Sequence, residues 1–476
     1  MTGLRYRSRA GRWVLAATVG GSVIASIDAT VVSIALPSIG REFGTGLATL
    51  QWVVTAYTLT LAGLLLVAGA LGDRYGRRRV FTIGVAWFAV ASVLCAVAPT
   101  AGTLVAARAL QGVGAALLTP GSLAIIEAAF VPDDRSRAIG AWSGLSGVAG
   151  AIGPFLGGWL IQAGSWRLIF AINLPIAAAV IAIARRHVPE SREPGAAGRI
   201  DLAGGVLVTL GLVALTYGLI DGPAFVIVGA LLLAGFVGWE RHARTPMLPL
   251  HLFASRQFSG TNLVTFVVYG ALGGALFLLP IELQQVSGYT PLQAGISLLP
   301  ITVLMLALSA RSGELAARIG PRLQMTAGPV LAGAGLALFT LIGPGGSYLT
   351  SVLPAVTLLG LGLAVTVAPL TATVLGAVPA SHAGVAWAVN NDVARAASLI
   401  AVAVLPAAAG ITGAAYLDPG DFQPGFQRAA LICGAACVLA GVVSAATIRN
   451  DHRPDRTGPP LRAGAGAGHL GTPPRD

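Results

Sequence analysis

Apolar residues in this chain fall in long unbroken runs. They show neither the alternation of a half-buried strand nor the three-and-four spacing of a water-soluble helix. A helix of about 20 apolar residues crosses a bilayer core, and cutting the chain at charged or Pro/Gly breaks leaves fourteen runs near that length. Six extend from Trp13 to Leu36, Leu50 to Leu71, Val80 to Ala98, Thr103 to Phe130, Ala138 to Gln162 and Leu168 to Ala184. Two follow, Leu202 to Ile220 and Ala224 to Trp239. Six more run from Gly260 to Leu283, Leu292 to Ala310, Gln324 to Ile342, Leu349 to Val374, Ala383 to Gly410 and Ala429 to Ile448. The pattern predicts an all-helical integral membrane protein whose short connections leave no room for a separate catalytic domain.

Composition agrees: 55% of the 476 residues are hydrophobic and 10% charged, against roughly 25% charged in a soluble domain. The net charge of +11 would suggest nucleic acid as a partner, but the placement of the charge points elsewhere. Every basic residue is arginine, and all but Arg41, Arg108, Arg167, Arg395 and Arg428 fall in connections on one side, at the N-terminus or in the tail. The positive-inside rule then puts both termini in the cytoplasm of a multi-pass plasma or inner membrane protein, with no nucleic acid involved. The first run carries Asp28 and lacks a small-residue cleavage pattern, so it is read as a retained helix rather than a leader. Cys95, Cys433 and Cys437 sit in apolar runs without metal-ligand spacing and read as packing residues. A nucleotide-binding P-loop is impossible without lysine, and neither H-E-x-x-H nor G-x-S-x-G is present, so no cofactor, metal or catalytic centre is expected and the protein reads as a non-enzyme.

The chain also repeats. Gly69, Leu71, Arg74, Gly76 and Arg78, after the second run, recur at one constant offset as Gly313, Leu315, Arg318, Gly320 and Arg322, after the tenth. This divides the chain into a cytoplasmic N-terminus (1–12), a six-helix bundle (13–186), two extra helices with cytoplasmic linkers (187–257), a second six-helix bundle (258–448) and a disordered Pro/Gly/Arg-rich tail (449–476). Duplicated bundles of this kind belong to transporters, with a substrate site between the halves near the midplane.

Four segments resemble motifs of the major facilitator superfamily, and of its fourteen-helix drug:proton antiporter branch in particular. Gly69, Leu71, Asp73, Arg74, Gly76, Arg77 and Arg78 resemble G-x-L-a-D-r-x-G-r-r. Asp28, Thr30, Ala35, Leu36 and Pro37 resemble D-x-T-v-v-n-v-A-l-P, with Ser33 in place of the usual asparagine. Arg108, Gln111, Gly112 and Gly114 resemble R-x-x-q-G-x-g. Gly140 followed by Gly153, Pro154, Gly157 and Gly158 resembles the antiporter motif, with Ala149 replacing a glycine. The resemblance covers all but the tail. It implies two six-helix bundles rocking about a central cavity, with Asp28 and Arg108 coupling proton to substrate, the glycines of the fifth helix limiting leak, and the Asp73–Arg78 loop gating the cytoplasmic side.

Physical chemistry supports parts of this independently. A carboxylate at membrane depth must be paired, hydrated or protonated, so Asp28 is expected to face a cavity and exchange a proton, or else to hold a structural hydrogen bond. Arg108 has no acid near it in sequence, so its partner must be Gln111 or a residue on another helix. Missing side chains at Gly140, Gly153, Gly157 and Gly158 permit close helix approach, and Pro154 frees a carbonyl. Ser381 is a plausible cap for the thirteenth helix, whose N-terminus would attract Asp73. Glu282, near the outer end of the ninth run, could line an outer vestibule, select cations or simply be solvated. Asp392 and Arg395, beside Asn390 and Asn391, favour a local ion pair over a substrate role, and Glu127 reads as interfacial. Trp52 and Tyr57 could offer aromatic faces to a lipophilic cation.

The expected function is proton-coupled export of a lipophilic, cationic or neutral, small molecule by alternating access, performed by a monomer. Competing expectations are a dedicated exporter of one host metabolite (an antibiotic, siderophore or lipid) and a transport-dead receptor.

Overall fold

The computed structural model describes residues 3–192, 201–243, 246–379, 382–413, 416 and 418–450. Among these, thirteen helices are long and apolar enough to cross a membrane, and Ala224–Glu240 is a shorter apolar helix. The N-terminal set is α1 (Arg9–Phe43), α2 (Leu47–Tyr75), α3 (Arg77–Ala96), α4 (Ala101–Ala129), α5 (Pro132–Ala163) and a sixth span broken into α6 (Leu168–Ala171) and α7 (Asn173–His187). The intervening pair is α8 (Leu202–Ile220) and α9 (Ala224–Glu240). The C-terminal set comprises α10 (Arg256–Ile281), continued by a π-helical turn Glu282–Val286, then α11 (Pro291–Ser297) and α12 (Leu299–Ile319), α13 (Arg322–Ala337), α14 (Leu353–Gly376), α15 (Ala383–Ala408) and α16 (Pro419–Thr447).

Local chemistry sets many helix ends. Ser8, Asp201, Ser255 and Asp418 each accept a backbone N–H in the first turn of the following helix, satisfying donors that have no partner inside the helix. Thr100–Thr103 and Thr290–Gln293 form reciprocal capping boxes. Prolines inside α1, α4, α5, α10 and α16 do not end those helices.

The internal repeat has a structural counterpart. Gly76 (φ 112°) and Gly320 (φ 87°), equivalent by the sequence offset, both take a left-handed backbone in the tight link between two spans, a conformation that penalises any side chain. Each link is then clamped by a residue beyond the last helix of its own set: the Arg78 N–H donates to Glu190 Oε1 (3.0 Å), and the Arg322 N–H donates to Asn450 Oδ1 (3.0 Å). A Cβ at Gly76 or Gly320 would run into these same side chains.

Within the N-terminal set, α4 packs on α2 and α3, and α1 packs on α5 and α7; within the C-terminal set, α13 packs on α14 and α16, and α10 on α15 and α16. The helices α8 and α9 pack on each other, and α8 also touches α2 and α15, one from each set.

The two sets are sealed together at the arginine-poor end. Gln51 Nε2 donates to the carbonyls of Val402 (2.7 Å) and Ala403 (3.1 Å), Gln284 Nε2 donates to the Ile34 carbonyl (2.9 Å), and the Tyr416 hydroxyl donates to the Thr45 carbonyl. Glycines close the tightest crossing: Gly158 of α5 lies on the Pro291–Leu292 backbone, and Gly295 of α11 lies on the Pro154 carbonyl. Toward the arginine-rich end the sets part around a cavity of about 580 Å³.

Candidate functional site

In α4, Gly112 lies against the Tyr57 carbonyl region and Gly114 against the Phe88 backbone, so α4 runs close to α2 and α3 without intervening side chains. This places Arg108 among three helices. Its guanidinium is 1% exposed and Asp28 is fully buried. Arg108 Nη1 donates to Asp28 Oδ2 (2.5 Å) and to Gln111 Oε1 (2.5 Å), and Nε donates to the Val53 carbonyl (3.1 Å). The other Asp28 oxygen accepts from Gln111 Nε2 (2.8 Å) and Asn173 Nδ2 (3.3 Å), and Ser92 Oγ accepts from both amides. The Tyr57 ring covers the guanidinium at 4.4 Å. The charges of Asp28 and Arg108 are matched inside a fully buried hydrogen-bonded cluster, the condition under which a buried ion pair persists.

Asp28 therefore faces this polar cluster rather than a cavity, because Arg108, Gln111 and Asn173 together replace the water it would otherwise need. Arg108 takes both partners that the sequence left open, an acid on another helix and Gln111 on its own. Asn173 and Ser92 were missed by sequence reasoning. Asn173 carried a signal, as an amide standing in an apolar run two residues before Pro175, at the break between α6 and α7.

The glycines of α5 hold α1 at the turn that carries Asp28. Gly153 sits on Thr30 and the Ile27 carbonyl, Gly157 sits on the Val31 backbone, and Thr30 Oγ1 donates to the Gly150 carbonyl (3.0 Å). Gly158 turns instead toward α11. Gly140 does not share in this packing, since a Cβ there would meet nothing within 4 Å.

Between the sets lie an arginine-rich-side cavity of about 580 Å³ and, deeper, one of about 410 Å³ lined by Thr30, Ser33, Pro154 and Tyr269 among others. Tyr57, Asn391 and Arg395 line both. The larger cavity is walled by Trp142 and Trp387, whose rings lie 6.4 Å apart across the two sets, and by Glu127 near the arginine-rich end of α4.

Other expected residues separate from this centre. Trp52 leaves the cavity, its indole N–H donating to Asp221 Oδ2 (2.7 Å) between α8 and α9. Asn390 turns into the C-terminal set, donating to Asn262 (3.1 Å) and Thr265 (2.8 Å) of α10. The local ion pair between Asp392 and Arg395 does not form: no salt bridge joins them, and Asp392 Oδ1 and Arg395 Nε are both buried without a partner. Three-residue spacing allows contact but does not force it, and Arg395 is directed into the cavities instead. Glu282 is neither solvated nor in a vestibule. It is fully buried on the π-helical turn, with no partner for either oxygen.

At the arginine-rich end, Asp73 pairs with Arg77 (2.8 Å) one turn on, and Arg77 also donates to the Ala124 carbonyl (3.3 Å). Arg78 reaches the Val188 carbonyl (3.1 Å) and Glu190 (3.6 Å), while Arg74 lies over the ring of Tyr75. A Cβ at Gly69 would stand in ordinary contact with Pro120, 3.7 Å away. These contacts join α2 and α3 to α4 and to the segment that follows α7. Ser381, the expected cap of α15, lies outside the described residues, as do Arg199, Arg244 and positions 451–476 of the tail.

Among the described residues, no group of three His, Cys, Asp or Glu side chains is placed to hold a metal ion.

Comparisons with known proteins agree with this architecture. Residues 18–403 match the family model of the Major Facilitator Superfamily. The chain is 37% identical to the puromycin resistance protein pur8 of Streptomyces alboniger, over 90% of this chain and 88% of that one. It is 36% identical to the multidrug resistance protein Stp of Mycobacterium tuberculosis (87% and 78% covered), and 33% identical to the methylenomycin A resistance protein of Bacillus subtilis (92% and 94% covered). Among solved structures, the peptide transporter POT in complex with sulfate superimposes with a TM-score of 0.68 at 14% identity, over 93% of this chain and 96% of that one, a likeness of fold alone. The helical duplication, the membrane-depth polar centre and these relatives together show that the chain belongs to the Major Facilitator Superfamily, as a multi-pass secondary transporter among its drug- and antibiotic-exporting members.

Proposed function

We propose that the protein exports a lipophilic small molecule in exchange for protons, with Asp28 as the proton site and Arg108 as the group that registers its state. One observation carries the reading: among the described residues the ionic partner of the fully buried Asp28 is Arg108, and Arg108 is covered by Tyr57, which lines both central cavities. Protonating Asp28 removes the negative charge that holds Arg108 Nη1. The guanidinium then depends on the Gln111 and Val53 oxygens alone, and an uncompensated buried cation is costly. Relief comes from moving Arg108 or letting water in, and either displaces Tyr57 at the substrate cavity. Substrate and proton thus act on one another through Tyr57.

The conformational element is the pair of helix sets. Closed at the arginine-poor end by Gln51, Gln284 and the Gly158–Gly295 crossing, they would close at the other end in the alternate state, and a ligand shifts that equilibrium only as far as it binds the two states differently. The glycines of α5 join the two events, because Gly153 and Gly157 seat α1 beside Asp28 while Gly158 seats α11 of the opposite set. Asp73, Arg74, Arg77 and Arg78 would form the arginine-rich-side latch. With arginines inward, this end faces the cytoplasm of a plasma membrane and the protein works as a monomer.

A dedicated substrate is the second reading, favoured by relatives named for one compound each, including a tetracenomycin C resistance and export protein of Streptomyces glaucescens. The deciding experiment is efflux of fluorescent lipophilic dyes, cationic and anionic, from proteoliposomes under an imposed pH gradient. Gradient-driven efflux that vanishes in Asp28→Asn is expected. Undiminished efflux in that variant would refute Asp28 as the proton site, and no efflux of any dye by folded wild type would favour the dedicated reading.

A further inference from the structure

Among the described residues, the guanidinium of Arg395 enters the space between the two sets without a hydrogen bond or salt bridge. Arg395 projects from α15 to the junction of the 580 Å³ and 410 Å³ cavities and lines both. Among the described residues no hydrogen bond or ion pair engages it, and its Nε is buried without an acceptor. Across the junction, from α2 of the opposite set, Tyr57 also lines both cavities, and its buried hydroxyl has no partner. A buried donor without an acceptor is costly, and here two converge from opposite halves on one space large enough for a drug-sized ligand.

No acid pairs directly with this cation: Asp392 of the same helix is buried within electrostatic range of Arg395 but makes neither a hydrogen bond nor a salt bridge with it, so the donors of the guanidinium stay open. Asp28 is neutralised by Arg108, and Glu127 lies toward the arginine-rich mouth of the larger cavity. Beyond the junction, the walls are apolar and aromatic, with Trp142, Trp387, Leu61, Leu123 and Leu375 lining the larger cavity. We propose that this junction recognises the acidic group of an amphipathic organic acid, a carboxylate, sulfonate or ionised phenol, with Arg395 and the Tyr57 hydroxyl as donors and the aromatic body lying in the larger cavity against the wall that Trp142 and Trp387 form together. A planar guanidinium matches such oxygens with paired, charge-assisted hydrogen bonds. The proposal rests on the central cavity being the transport site, and it names the substrate class for that site.

The test is equilibrium binding to the purified full-length protein in detergent, without a pH gradient, of two dyes with the same aromatic skeleton. Anilinonaphthalenesulfonate carries the anion and phenylnaphthylamine lacks it. Wild type should bind the sulfonate more tightly. Arg395→Gln should weaken the sulfonate by roughly ten- to a hundredfold, the range for losing a charged hydrogen bond, while leaving phenylnaphthylamine within a few-fold, which also shows that the cavity is still folded. Arg395→Lys should recover part of the difference, since it keeps the charge and loses the fork. An unchanged sulfonate-to-amine ratio in Arg395→Gln, or equal loss of both dyes in Arg395→Gln and Arg395→Lys alike, would overturn the proposal. Neither outcome depends on Asp28, so failure here is distinct from failure of the proton-coupled reading, which the Asp28→Asn efflux experiment decides.

Discussion

Replacing Gly158 by alanine should drive the protein out of the conformation described above. A methyl group on Gly158 would collide with the Pro291 carbonyl and lie 2.8 Å from the Leu292 Cα. Carbon atoms settle at about 3.5–4.0 Å, so α5 and α11 would have to part by roughly 1 Å. The obstacle is backbone, which no rotamer change can relieve. Overpacking of this kind costs about 1–3 kcal/mol, and the whole penalty falls on the state in which α5 and α11 touch. A coupling of that size moves a two-state equilibrium by about 5- to 150-fold. Spin labels at the exposed Arg41 and Leu349, one on each helix set at the arginine-poor end, report the separation once the buried Cys95, Cys433 and Cys437 are replaced. Pulsed dipolar spectroscopy should show the distance distribution moving to longer values in Gly158→Ala. Gly140→Ala is the control, since its methyl group would meet open space. An unmoved distribution in Gly158→Ala, or the same displacement in Gly140→Ala, would refute the argument that this crossing holds the two sets closed.

The Asp28–Arg108 pair should behave as a unit in equilibrium unfolding in mixed micelles. Asp28→Asn or Arg108→Gln alone leaves a buried charge without its partner and should cost about 3–5 kcal/mol, whereas the double variant should recover most of that loss; simple additivity would show that the two are not coupled. Glu282 predicts the opposite sign. Both its oxygens are buried without partners, so Glu282→Gln should leave thermal stability unchanged or raise it, and a fall in melting temperature would reveal a partner for the carboxylate.

How far the molecule was legible in the sequence differs between the backbone and the side chains. Helix positions followed from apolar runs because a membrane span must be long and must satisfy its backbone internally. Even so, Pro37 did not end α1, which continues to Phe43, and the sixth and tenth spans break at Ile172 and Leu298, where no charge interrupts the run. The offset between Gly69 and Gly313 anticipated two links of the same shape, and the left-handed Gly76 and Gly320 have it. Asp28, Arg108 and Gln111 were legible as polar residues in apolar runs, and all three meet. What spacing could not supply was the direction of a side chain. Asn390 and Asn391 are neighbours, yet they point into the C-terminal set and into the cavities respectively, because a helix turns about 100° per residue. Asp392 and Arg395 were close enough in sequence to pair but form no salt bridge, Arg395 reaching the cavities instead. Trp52 found Asp221 in a loop almost 170 residues away, a contact that no local pattern encodes.

The proposed antiport links substrate binding to proton release at Asp28. The most direct test is the pH change in weakly buffered detergent solution when a transported dye is added to the purified protein, read with a pH indicator. Proton release from wild type should saturate with dye binding and be absent in Asp28→Asn, with the variant still binding dye. Equal proton release from both proteins, or dye binding to wild type that releases none at any pH where transport runs, would contradict that link.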